Sequence, residues 1–404
     1  MKLNRYKFKM LTVTTMIAAA ALLLPMQGNV QAQPDKTASQ QTQGIQTSLQ
    51  QQSNRSAIEV NSSVKQVIDR LANHKNIPGI IAAGMKNGER WAYASGEASI
   101  HDTRQVKADF HFRIGSVTKT FVATVILQLA EEGKLHLDDS VEKWLPGVVQ
   151  GNGYDGRKIT IQQLLNHTSG IANYTSQSFI RDSIVKNPYH GYTPEELVRK
   201  GLGEAPLFAP GTNWSYSNTN YILAGLIIKQ VTGETYADQI KKRIIDPLQL
   251  NDTSIPGSSS YIPDQHARGY FKENGKFIDM TELNPSWGDA AGDMISTTAD
   301  LNTFFSALLG GKLLKAESLQ QMLTGVDTPV GKYGLGIYET KLASGTSIWG
   351  HSGGIHGFAT IAGGLVGGDH VLAVSTNILD NDVNEEQANL LEIFEGEFRS
   401  VDSK

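Results

Sequence analysis

The sequence predicts an α+β fold: an antiparallel sheet flanked by N- and C-terminal helices, an α/β sandwich, with a mainly helical sub-domain inserted into it. Two strand-pair patterns stand near opposite ends of the chain. Residues 80–85 and 90–98 flank Asn87-Gly88, and residues 357–366 and 370–378 flank Gly367-Gly368-Asp369. Between them runs a long section of helical periodicity. A chain that starts in a sheet, leaves it for helices and returns to it builds an α+β domain. A cleft between the two parts is the usual place for a small-molecule site.

The N-terminus reads differently from the rest. Lys2, Arg5, Lys7 and Lys9 precede an apolar run over residues 10–25 and the small-x-small Val30-Gln31-Ala32, the pattern of a cleavable secretory signal over residues 1–32. The rival reading is a membrane anchor, but a spanning helix needs about 20 apolar residues, and this run is shorter and carries Thr14-Thr15. The expected product is an exported chain, extracellular or associated with the cell wall, without a stable membrane anchor. Residues 1–32 hold four of the 36 basic groups and no acid, so the remainder has 32 basic against 40 acidic groups, formally −8. That balance argues against nucleic acid or anionic lipid as a partner. With no cysteine, the chain has neither a disulfide framework nor a thiol nucleophile. Residues 33–56 contain eight glutamines and no aromatic residue, which predicts a disordered leader or removable pro-segment. The folded domain is expected over 57–400, with the helical insertion at about 119–310.

Taken in order, residues 57–74 place Val60, Val64, Val67, Ile68 and Leu71 on one helical face. Asn87-Gly88 is a strong two-residue hairpin signal for the strands on either side. Helices are expected over 119–132, 161–165, 194–200, 221–231, 236–245 and 298–309. The second strand pair follows, and a helix over 385–398 closes the chain.

The chemistry-bearing candidate is Ser116 with Lys119, in RIGSVTKTF. Spacing alone does not select it, because S-x-x-K also occurs at Ser62/Lys65, Ser140/Lys143 and Ser183/Lys186. After Gly115, however, Phe121, Val122, Val125, Ile126 and Leu129 make a helix apolar nearly all round, which is a buried helix. Lys119 would then sit one turn from Ser116 and away from water. Burial lowers a lysine's pKa from about 10.4, and a neutral lysine can take a serine's proton. The alternative is structural, with Ser116 as an N-cap and Lys119 reaching out to solvent.

The segments RIGSVTKTF, ITIQQLLNHTSGI, FAPGTNWSYSNTNYILAGLII and WGHSGGIHGF, in this order, resemble the serine β-lactamase and DD-peptidase family. Within it they resemble the branch with class C β-lactamases, D-alanyl-D-alanine carboxypeptidases and D-stereospecific peptidases. The resemblance runs from residue 57 to the C-terminus and implies a β-lactamase/transpeptidase-like fold. It implies Ser116 as nucleophile, Lys119 as its base, and Tyr216 of Tyr216-Ser217-Asn218 as phenolate or proton relay. This is the only Y-x-N in the chain. Asn218 is implied to hold substrate; the structural alternative, Asn218 as an N-cap with Tyr216 filling core, is a fair reading of the motif alone but a weak one beside the other elements. His351-Ser352-Gly353 matches the family's H-x-G element, where the imidazole supplies polarity or a cation and Gly353 lets substrate backbone approach. The backbone amides of Ser116 and Gly354 are the implied oxyanion donors. Trp287 resembles an aromatic that walls the pocket, with a core tryptophan as the other reading. His167 resembles a framework position and is assigned no chemistry.

Several rivals are weaker. Lys332-Tyr333-Gly334 is a competing K-x-G without the strand context. Gly350-His351-Ser352-Gly353-Gly354 satisfies the G-x-S-x-G elbow, but that motif requires a strand, the serine and then a helix, whereas a glycine-rich turn and a strand are expected here. The histidines include no H-E-x-x-H, and G-S-V-T-K-T lacks the second glycine of a phosphate loop, so no metal and no cofactor is expected. The implied reaction is two-step acyl transfer on peptides containing D-residues, with peptidoglycan stem peptides among the candidate substrates and β-lactams as acylating ligands. Relatives that cut after D-alanine often carry an arginine upstream of H-x-G, while residues 331–351 contain only Lys332 and Lys341 as cations besides histidine. An esterase or β-lactamase on the same scaffold, or a binding module without turnover, are the other functions such a chain could serve.

Overall fold

Asn87 and Gly88 both take positive φ, 52° and 84°, the backbone of a type I′ turn. They join β1 (Gly79–Lys86) to β2 (Glu89–Gly96) as an antiparallel hairpin. The structure is a computed structural model and describes residues 58–73, 77–176, 184–273, 275–329, 331–380 and 383–399. The expected signal, the whole of the expected leader and Ser183 of one S-x-x-K pair lie outside these residues. Six more strands complete the main sheet: β3 (Val326–Thr328), β4 (Gly331–Tyr333), β5 (Tyr338–Lys341), β6 (Ser347–Ile355), β7 (Phe358–Gly364) and β8 (His370–Thr376). Their order is β2-β1-β8-β7-β6-β5-β4-β3, with every neighbouring pair antiparallel.

The main helices are α1 (Ser62–Ala72), α2 (Thr118–Glu131), α3 (Pro194–Leu202), α4 (Asn218–Thr232), α5 (Thr298–Leu309) and α6 (Val383–Glu397). The terminal pair α1 and α6 pack on each other and on the sheet. Trp91 Nε1 of β2 and His370 Nε2 of β8 both meet Glu397, at 3.4 and 2.9 Å. Helix α5 packs on β1, β7 and β8, and Asn302 Nδ2 donates to the Ala83 carbonyl at 2.6 Å. With helices covering both faces, β7 and β8 are buried along their whole length and β1 is buried up to Lys86. Burial on both faces replaces the alternation expected of a half-exposed strand.

The α+β sandwich expected from the sequence is therefore the observed fold, with three local differences. Strands β3 to β6 were not expected: the first three are short, and β6 contains Gly350, Gly353 and Gly354, residues of poor strand propensity. His351 to Gly354 consequently lie inside a strand rather than in a turn ahead of one. Helix α4 begins at Asn218 rather than residue 221, because its first turn is polar and the Asn173 side chain accepts the Asn218 N–H at 3.1 Å. Residues 236–245 form an α-turn, Tyr236–Ile240, followed by a wider π-turn, Lys241–Ile245. Pro247, four residues beyond Arg243, has no N–H to close an α-helical bond to it. Among the described residues no helix is long and apolar enough to cross a membrane.

Candidate active site

Gly115 has φ +50° and opens a short 3₁₀ turn, Gly115–Val117, that runs directly into α2. Neither the turn nor the helix is capped by a side chain, so Ser116 is not an N-cap. Helix α2 is buried on all sides through Leu127, as its apolar composition predicts. It packs against α4, and Phe121 stacks on Phe304 of α5 with ring centroids 3.6 Å apart. Lys119, carried by this helix, is 0% exposed. It does not reach solvent.

Its ammonium position is defined by three oxygens. Lys119 Nζ lies 3.0 Å from Ser116 Oγ, 2.7 Å from Asn218 Oδ1 and 2.6 Å from the Ala291 carbonyl. Asn218 Nδ2 donates to Thr175 Oγ1 at 2.9 Å, which turns the amide oxygen toward Lys119. Asn218 Oδ1 and the Ala291 carbonyl can only accept. A neutral amine has two hydrogens and one lone pair, so with both hydrogens on these acceptors the lone pair faces Ser116. Burial holds the Lys119 pKa well below the usual lysine range. Burial favours the neutral form, in which Lys119 would be a base aimed at the serine hydroxyl.

Tyr216 stands on the other side of the nucleophile. Its hydroxyl hydrogen-bonds Ser116, and burial raises its pKa, so it is a phenol rather than a phenolate. Lys119 Nζ lies 5.0 Å from the centre of its ring. Of the two expected roles, the proton relay fits this environment.

Strand β6 runs past the nucleophile turn at very short range. A Cβ on Gly353 would sit 1.9 Å from the Ile114 carbonyl oxygen and 2.9 Å from the Ser116 nitrogen, and one on Gly115 would sit 2.9 Å from the Gly354 nitrogen. Only glycine permits this approach. The Ser116 and Gly354 amides are thereby brought side by side, the arrangement an oxyanion hole requires. Ser352, half-buried on the same strand, hydrogen-bonds Tyr338.

His351 is 2% exposed, and burial together with the nearby Lys119 lowers its pKa to about 3. It is neutral, which corrects the alternative of a cation beside the nucleophile. Its Nε2 lies 2.9 Å from the Tyr333 hydroxyl, which in turn lies 3.1 Å from His167 Nε2. The competing Lys332-Tyr333-Gly334 thus contributes through its tyrosine, while Lys332 is exposed.

Trp287 is half-buried, edge-on to His356 at 5.6 Å, and its carbonyl accepts from the Tyr174 hydroxyl. It lies in the loop whose Ala291 carbonyl bonds Lys119, consistent with a wall of the same site. The decoy S-x-x-K pairs separate cleanly: Ser62 begins α1 beside the capping Asn61, and Ser140 caps a surface turn while Lys143 pairs with Asp139. Sequence reasoning missed Ala291, Thr175 and Tyr333 as parts of the site. Ala291 acts through its backbone and Thr175 through one tertiary contact, neither of which leaves a motif. No group of three or more His, Cys, Asp or Glu among the described residues could hold a metal ion.

Comparison with known proteins places these residues in a wider setting. Residues 64–395 match the family model described as Beta-lactamase. The chain is 41% identical to a solved D-stereospecific amidohydrolase from Streptomyces sp., covering 84% of this chain and 98% of that one with a TM-score of 0.77. It is 29% identical to the D-amino acid amidase from Ochrobactrum anthropi SV3 solved with L-phenylalanine amide, over 84% of this chain and 99% of that one, TM-score 0.72. Among curated sequences, Penicillin-binding protein 4* of Bacillus subtilis (strain 168) is 29% identical over 311 residues, 73% of this chain and 67% of that protein. Two further relatives, the Putative penicillin-binding protein PbpX of Bacillus subtilis (strain 168) and Protein flp of Staphylococcus aureus, are spanned over 63% and 55% of their length.

Proposed function

Because the chain belongs to the beta-lactamase family of serine hydrolases and penicillin-binding proteins, we propose that it is a serine amidohydrolase that cleaves amide bonds at D-residues through an acyl-enzyme. The observation that carries this reading is the buried Lys119 Nζ 3.0 Å from Ser116 Oγ. Ser116 Oγ attacks the carbonyl carbon as its proton passes to Lys119. The negative charge that develops on the carbonyl oxygen is received by the Ser116 and Gly354 amides. The C–N bond then breaks, and the departing nitrogen takes a proton through Tyr216. Water attacks the Ser116 ester and releases the acid, with Lys119 and Tyr216 handling the proton again.

The D-residue preference is supported by likeness to the D-stereospecific amidohydrolase and the D-amino acid amidase. The substrate class is narrowed by charge. A C-terminal carboxylate needs a cation, yet Lys332 and Lys341 are exposed, and Arg113 is fully buried with Nη2 on the Ser260 and Leu283 carbonyls at 2.7 and 3.3 Å. Amides and internal bonds of D-peptides therefore fit better than a free D-alanyl-D-alanine terminus. In this reading residues 1–32 direct export, and N-terminal sequencing of protein from culture medium checks that.

A panel of D- and L-amino acid amides and peptides, with products identified by mass, tests the activity. Turnover of D-substrates lost in Ser116→Ala is expected. Turnover that survives Ser116→Ala, or that is confined to L-substrates, overturns it. A fluorescent penicillin incubated with the wild type reports whether β-lactams acylate Ser116.

A further inference from the structure

A chain of hydrogen bonds, His167, Tyr333, His351, lies behind Tyr216 and Lys119, and its two ends are fixed by backbone groups of opposite kind. At one end His167 Nδ1 faces the Ser217 N–H at 3.2 Å and Asn220 Nδ2 at 3.1 Å. The Ser217 amide can only donate, so Nδ1 carries no hydrogen. The asparagine agrees: Ser169 Oγ accepts the Ile171 N–H and gives its own hydrogen to Asn220 Oδ1 at 2.7 Å, which turns Nδ2 toward the ring. At the other end His351 Nδ1 faces the Ser352 carbonyl oxygen, which can only accept, so this nitrogen carries the hydrogen.

The middle of the chain follows from the ends. Neutral His167 must carry its hydrogen on Nε2 and donate it to the Tyr333 oxygen. Neutral His351 presents a bare Nε2 to the same hydroxyl, which donates to it. Tyr221, the other phenol hydrogen-bonded to Tyr333, gives its own hydrogen to the Leu165 carbonyl at 2.8 Å and so is no donor to Tyr333. All three linked side chains are buried, Tyr333 at 3% exposed, His167 at 0% and His351 at 2%.

We propose that Tyr333 is a positioning residue of the active site: with His167 it holds His351 in the Nδ1–H tautomer, so that the ring offers Lys119 and Tyr216 neither a positive charge nor a competing proton. The groups facing His351 make that neutrality matter. They are Lys119 from α2, Tyr333 from β4 with its ring 5.8 Å away, Tyr338 from β5 at 5.2 Å and Tyr216 at 6.4 Å. None is a carboxylate, so nothing in contact would balance an imidazolium. A charge there would hold Lys119 neutral too strongly to remain a good base and would draw on the Tyr216 proton. His167 packs on the Tyr216 ring at 4.3 Å, so the same chain also braces the relay.

The tautomer assignment is independent of the reaction proposed above, and only its catalytic consequence rests on that reading. The ring-nitrogen shifts of ¹⁵N-histidine-labelled protein test it directly. Two neutral rings of opposite tautomer are expected, His167 with Nε2–H and His351 with Nδ1–H, unchanged between pH 8 and pH 5. The same tautomer in both rings, or either ring protonated at neutral pH, overturns the proposal whatever the enzyme hydrolyses. Tyr333→Phe, which removes the oxygen between the two rings, is expected to shift the His351 Nε2 resonance, lower kcat about fivefold to tenfold, the worth of one hydrogen bond, leave KM near its wild-type value, and move the acid limb of the pH profile. If folded Tyr333→Phe, judged by circular dichroism, keeps the wild-type signature and profile, Tyr333 is only packing.

Discussion

Lys119 Nζ and Ser116 Oγ lie 3.0 Å apart inside a helix start that neither residue caps. Both other partners of the amine are acceptors, so the neutral amine that burial favours has its lone pair left for the hydroxyl hydrogen.

Replacing Lys119 with arginine keeps hydrogen-bond donors but removes the base, because a guanidinium stays charged. Acylation is expected to fall by about 10² to 10⁴, the usual contribution of a positioned general base. Burst amplitude with a chromogenic D-substrate measures it; a loss smaller than tenfold would move the base elsewhere.

Asn218→Asp places a carboxylate where an amide oxygen now meets Lys119. An opposite charge at this range favours the ammonium, so the Lys119 pKa should rise. The acid limb of kcat/KM, which the burial of Lys119 sets below the usual lysine range, is expected to move to higher pH, with activity at neutral pH reduced. A limb that stays in place would show that another group controls it.

Gly353→Ala forces a Cβ against Ile114 O at 1.9 Å. Backbone must move, and overpacking of this kind costs about 1–3 kcal/mol. Thermal denaturation should show the loss, and activity should fall further than stability does, because the Gly354 amide is displaced from the Ser116 amide. Wild-type kcat in this variant would dissociate β6 from oxyanion binding.

His351 also makes a stability prediction. Unfolded histidine binds a proton near pH 6.5, whereas the folded ring resists it down to about pH 3. The depressed folded value means stability is present above pH 6.5 and is lost as pH falls toward 3, by about 1.4 kcal/mol per pH unit. Urea titrations from pH 7 to pH 4 should show a shallower pH slope in His351→Asn than in the wild type. Equal slopes would mean that His351 already titrates in the folded protein.

The contrast between what was and was not legible in the sequence follows the range of the forces involved. Asn87-Gly88 announced its hairpin because positive φ at two adjacent residues is a local demand. Helix α2 announced its burial because its apolar residues circle the axis. Strands β3 to β5 left little trace, since short strands are stabilised by neighbours that arrive from elsewhere in the chain. The polar first turn of α4 falls outside the helix expected over 221–231, because the Asn173 side chain that accepts the Asn218 N–H is remote in sequence.

By itself, then, the sequence determined the α+β class, the buried helix carrying Ser116 and Lys119, and the ordered set with Tyr216-Ser217-Asn218 and His351-Ser352-Gly353. Each is written in local periodicity or in a contiguous motif. Only the tertiary structure decided which oxygens surround Lys119, that burial drives the His351 pKa down to about 3, and that Tyr333 and Ala291 belong to the site. Those are properties of desolvation and of hydrogen-bond partners more than a hundred residues apart, such as Lys119 with Ala291 and His167 with Tyr333, and a linear pattern holds no record of which distant atoms will share a proton.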